Sequence, residues 1–158
     1  IDTGQKEEGL RIIESAASPL AGSAYPTETL RWHLSPDNYP EAVDLVFNQS
    51  YQHLKKVIAD SPNYHLARNS IAWICSVTGR HLDEALIHSR ASLEDEPRAA
   101  YCDTLGRIYR NLDNRGKELE WHERAVKDST RSYFNQRSSI LTRYDWILEN
   151  PKPVTTGE

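Results

Sequence analysis

Methionine is absent from these 158 residues, cysteine occurs twice, and the seven glycines are scattered rather than gathered into a loop that would cradle phosphate. No apolar run approaches the roughly 18 residues that a membrane-crossing helix needs, so membrane insertion of this segment is not expected. Lysine and arginine number 19 against 23 acids, and they are interspersed, leaving a net charge of -4. That balance presents no single-sign block to nucleic acid or to an anionic membrane, and neither is expected as a partner. The G-x-S-x-G and H-E-x-x-H patterns are missing too. No nucleophile, base and orienting group can be named together, so the chain reads as a non-enzyme without a cofactor.

The sparse chemistry has plain readings. Cys75 and Cys102 fall in predicted helices at non-equivalent places, so their spacing asks for no disulfide and they read as small buried hydrophobes. The compartment stays open between cytoplasmic and extracytoplasmic. The six histidines show no zinc-type spacing; His81 and His88 read as surface side chains, and no metal is expected. Glu7-Glu8, Glu94-Asp95-Glu96 and Glu118 with Glu120 read as solvated acids at helix ends or on exposed faces. Asn48-Gln49-Ser50 falls mid-helix, a poor place for glycosylation. A start at Ile1 without any methionine leads us to expect a processed chain or a soluble segment of a longer protein.

What the chain does have is a repeat. Two stretches beginning near His65 and Ala99 show the same helix-turn-helix pattern about 34 residues apart. Ile71-Ala72 falls on Leu105-Gly106, Cys75 on Tyr109, and Gly79 on Asp113. In the second helices Leu86 falls on Leu119, Ser92 on Ala125 and Leu93 on Val126, one residue closer, because the turn from Gly79 to Ala85 carries an extra residue. Small residues at Ala72, Ala85, Ser92, Gly106 and Ala125 let neighbouring helix backbones approach. Tyr101, Leu105, Ile108, Tyr109 and Leu112 recur at three- and four-residue steps, predicting one apolar helical stripe.

Around the repeats the chain divides into further segments. Residues 1–37 are expected to hold a short helix over 5–17 and an irregular connection punctuated by Ser18-Pro19, Gly22-Ser23 and Tyr25-Pro26, with a brief helix from Thr27 to Trp32. Over 38–62, Asn38 with Glu41 suggests a capping box, and Val43, Phe47, Leu54, Val57 and Ile58 mark one helix face. This helix takes the place of a half-repeat ahead of the pair over 63–130. Ser61-Pro62 is expected to cap the first repeat helix, Gly79 to end it, a second helix to run over 82–95, and Pro97 to open the next pair. A final helix over 131–150, with Tyr133, Phe134, Ile140, Leu141, Tyr144, Trp146 and Ile147, is expected to cover the end of the stack. Residues 151–158 read as a disordered tail.

The A-Y-C-D-T-L-G-R-I-Y of 100–109 resembles a first helix of the tetratricopeptide repeat family, and the D-E-A-L of 83–86 resembles the start of a second. Pro97 stands where that family usually places proline. Glu118 stands where the family prefers alanine, and His122 where it prefers an aromatic. The resemblance covers 63–129 and implies an all-α fold: a short right-handed superhelical array of antiparallel helix pairs, a TPR-like α-solenoid.

Family members grip an extended peptide or a partner's helix on the concave surface of their first helices. The resemblance places that groove at Leu66, Asn69, Trp73 and Ser76, then at Ala100, Asp103, Arg107 and Arg110, with Tyr133, Gln136 and Ile140 from the final helix. An aromatic anchor beside two arginines suits a peptide offering one apolar side chain and a carboxylate. The positions matching the family's clamp for chaperone tails are Asn69, Trp73, Thr104, Tyr133 and Arg137, of which only the last fits, so that capture is not expected. The expected function is thus a non-catalytic protein- or peptide-binding scaffold, whose partner is another protein or a region of its own full-length chain. The alternatives are a structural or self-association segment of a larger protein and, least favoured, a helical enzyme.

Overall fold

The computed structural model describes residues 7–9, 11, 40–129 and 134–151, apart from the side chains of 134–139. Among the described residues the protein is all-helical, with no strand. Residues 7–9 and 11 are helical, inside the expected 5–17 helix; the rest of 1–37, with Asn38 of the expected capping box, Tyr133 and the tail from 152, lies outside the described residues. Six helices follow in order: α1 (Pro40–Asp60), α2 (His65–Thr78), α3 (Leu82–Asp95), α4 (Ala99–Asn111), α5 (Arg115–Asp128) and α6 (Phe134–Glu149). Each packs against its successor, and α4 also touches both α2 and α6.

The two copies turn in the same way. Gly79 closes α2 in the left-handed conformation (φ 70°), and Asp113, its equivalent, closes α4 with φ 55°. The Arg80 N–H donates to the Cys75 carbonyl at 3.0 Å, and the Asn114 N–H donates to the Tyr109 carbonyl at 2.9 Å, again 34 positions on. Both turns therefore satisfy a last-turn carbonyl by the same device. The extra residue of the first turn shows as a second left-handed position, His81 at φ 47°. Asn114 then caps α5 by accepting from the Lys117 N–H at 3.1 Å.

Two helix starts and one helix end need correction or refinement. Ser61-Pro62 does not cap α2: the helix begins at His65, Tyr64 stands at its N-cap without a side-chain bond, and the Ser61 carbonyl accepts the Tyr64 N–H in a tight turn. Pro97 precedes α4 by two residues and holds Glu96 extended, while Arg98 is extended at the N-cap, so the helix starts at Ala99. Leu112 does not extend the α4 stripe. It sits at the helix C-cap, 38% exposed, past the last turn that faces the core.

Packing follows the pattern elsewhere. Ala72, Ala85, Ser92 and Ala125 are buried at the helix crossings, and Gly106 lies directly under the His122 ring. Ile71, Ile74, Leu105 and Ile108 are fully buried, each stabilising the fold by about 1.5–3 kcal/mol. The apolar core divides in two. A large cluster joins α1 to α4 through Phe47, Leu54, Ile71, Ile74, Leu105 and Ile108, and a small one joins α4, α5 and α6 through Ala99, Cys102, Ala125 and Ile140. Leu93 and Trp121 pack against both.

Candidate functional site

Most of the predicted groove residues come from α2 and α4, which lie side by side. Leu66 is 41% exposed at the start of α2, and Trp73 is half-buried, its ring packed against the large core cluster. Asn69, between them, is half-buried and its Oδ1 has no hydrogen-bond partner. Ser76 is buried: its hydroxyl donates to the Trp73 carbonyl at 2.8 Å, and its own carbonyl accepts Asn111 Nδ2 at 2.5 Å, tying α2 to α4. It braces the face rather than lining it. Ile140 is likewise core, at 4% exposed. Gln136 lies in α6 with its side chain outside the described residues, as Tyr133 is altogether.

Asp103 and Arg110 are drawn away from the open face into a charged layer between α4, α5 and α6. Asp103, buried, receives Arg143 of α6 on one carboxylate oxygen and faces His122 Nδ1 at 3.4 Å on the other. Burial alone would raise its carboxyl pKa. The close approach of His122 and the charges of Arg143 and Arg107 outweigh that and hold it below the usual aspartate value. Arg107, half-buried one turn further along α4, contributes its charge to this field.

Arg110 donates to Glu118 at 2.7 Å, and Arg115 donates to the other oxygen of the same carboxylate at 2.9 Å. Glu118 is 1% exposed, which corrects its reading as a solvated surface acid. The repeat itself carries the signal for this. Glu118 falls on Ala85 and His122 on Ser89 when the second helices are superposed, and both first-copy residues are buried. An ionised group at a core position is retained where charges surround it, and Arg110 and Arg115 do so.

A second polar cluster joins α1 to α3. The Tyr51 hydroxyl donates to Glu84, Lys55 Nζ stands 3.3 Å from the same carboxylate, and His88 Nε2 lies 3.6 Å from it. His88 is therefore half-buried rather than a free surface histidine, while His81 is exposed with its ring stacked 4.7 Å from that of Tyr51. Burial is the main cause of the lowered His88 pKa, with the charges of Arg68 and Lys55 adding to it against the pull of Glu84. Glu84 sits below its usual value because hydrogen bonds from Tyr51 and Lys55, with the charges of Lys55 and His88, exceed the upward push of its burial.

Cys75 and Cys102 are buried free thiols, pushed up by burial to about 12 and about 11, so neither is a nucleophile in the folded state. Among the described residues no group of histidine, cysteine and acidic side chains is arranged to hold a metal ion, and no helix is long and apolar enough to cross a membrane. Comparison with family models, with curated proteins and with solved structures found no match to this chain.

Proposed function

We propose that this protein is a binding scaffold of the kind the tetratricopeptide resemblance implies, a short right-handed array of helix pairs that holds an extended peptide along α2 and α4. The observation that carries this reading is the combination on one face of exposed Leu66, half-buried Trp73 and an Asn69 oxygen without an internal partner. A polar atom left without a hydrogen bond at a partly buried surface favours a ligand that donates to it, such as a peptide N–H. Arg107 lies on the same helix row as the Asn69-equivalent Asp103 and supplies positive charge for an acidic group of the ligand.

The recurrence of the left-handed turn at Gly79 and Asp113 supports the repeat arrangement behind this reading. The same geometry reduces the expected lining to Leu66, Asn69, Trp73 and Arg107, since Asp103 and Arg110 serve the α6 side. Selection of a displayed random-peptide library on the immobilised protein tests it. Wild-type protein should enrich peptides pairing one large apolar residue with an acid, and Trp73→Ala with Arg107→Glu should lose that enrichment while keeping the helical spectrum. Equal enrichment by the variant would sink the proposal.

A further inference from the structure

The α6 helix is attached differently from the helices before it. Its contact with α5 is much less extensive than that of α4 with α5, and its contact with α4 is smaller still. Over the part whose side chains are described, Ile140 and Ile147 are buried, while Trp146 and Leu148 remain 49% and 50% exposed. Among the described residues the small core cluster holds Ile140 alone from α6.

Charge does the rest of the docking. Arg143 reaches back to Asp103. At the far end of the helix, Arg115 donates to the Ile147 carbonyl at 3.0 Å and Arg110 to the Asn150 carbonyl at 3.3 Å, and the Arg110 guanidinium lies 4.8 Å over the Trp146 ring. The last carbonyls of a helix have no partner within it and carry partial negative charge. Arginines held at Glu118 satisfy them. Tyr144 adds a hydrogen bond to Glu123 at 3.3 Å.

We propose that α6 is a charge-latched helix, which leaves its seat on α4 and α5 as a unit while α1 to α5 stay folded. Among the described side chains of this helix only Ile140 and Ile147 are buried apolar groups, so once the polar latch opens its local unfolding is the least costly. Helices α1 to α4 share the large cluster and α5 keeps its extensive contact with α4, so these five open together.

The two thiols report on this without any added probe site. Cys102 shares the small cluster with Ile140, so departure of α6 loosens its surroundings, whereas Cys75 belongs to the large cluster. Alkylation of the full chain under native conditions, followed by peptide mass spectrometry, should modify Cys102 at least tenfold faster than Cys75. Arg143→Gln should accelerate Cys102 about tenfold further and leave Cys75 unchanged. Equal rates at the two thiols in the wild type would mean that the fold opens as a whole and would overturn the proposal, as would an Arg143→Gln chain whose Cys102 rate does not rise. Should that variant lose its helical spectrum, the wild-type ratio of the two rates decides the question by itself.

Discussion

The ring of His122 lies so close over Gly106 that a Cβ on Gly106 would stand 2.8 Å from its atoms. The equivalent pair in the first copy is Ala72 and Ser89, so the second copy has exchanged a methyl group on one helix for a ring on the other. An interior helical glycine replaced by alanine ordinarily gains about 1 kcal/mol. At Gly106 the sign reverses, because His122 is buried and has nowhere to move. Gly106→Ala should cost ~1–3 kcal/mol in a denaturant titration. Adding His122→Ser should return part of that loss, and a strictly additive double variant would refute the account.

Gly79→Ala tests a different mechanism. Nothing lies within 4 Å of the added Cβ, but the residue holds φ 70°. The expected loss is about 1–2 kcal/mol, arising from backbone strain alone. An unchanged midpoint in urea would show that the turn relaxes to another conformation.

Acid should weaken the fold in two stages. His88 has a lowered folded pKa, so between its unfolded value near 6.5 and its folded value the unfolded chain binds more protons, and stability falls as pH falls through that window. Asp103 and Glu84 are also lowered, and the stability they contribute above their unfolded values, about 3.9 and 4.3, is lost as pH drops below that range. Chemical denaturation from pH 8 to pH 2 should show both stages. His88→Gln should flatten the upper one and, by removing a charge beside Glu84, reduce the lower one slightly; a variant profile that still declines just below about pH 6.5 would assign the upper stage elsewhere.

Glu118→Leu probes the buried carboxylate. Removing it leaves Arg110 and Arg115 facing one another without the charge that gathers them, and the loss should reach ~3–5 kcal/mol. Ala85→Leu at the equivalent place of the first copy should cost about 1–3 kcal/mol by overpacking alone. Thermal melts of the two variants that coincide would argue against a distinct charged layer.

The helical elements were largely legible because their signals are local. The expected second helix over 82–95 matches α3 end for end, and the expectation that Gly79 terminates the helix before it matches its left-handed angle. The polar layer was not. Beside Glu120 along the chain Glu118 looks like one of two exposed acids, whereas its register with Ala85 places it inside, and of the two Glu120 is the one in solvent. Asp103 and Arg110 share their helix with Arg107, yet their partners Arg143 and Glu118 lie on other elements, and no pattern along one helix discloses contacts that far along the chain. Leu112 continued the apolar spacing but not the helix, since a stripe loses its meaning where the last turn unwinds.

Leu93 and Trp121 each touch both apolar clusters, one from α3 and one from α5. The two bodies of core are joined along α4 and, across the helix layers, by these two side chains, which couple their melting. Trimming either side chain should therefore alter how sharply the chain unfolds more than how much denaturant it withstands. The steepness of the transition, rather than its midpoint, is the quantity these two residues govern.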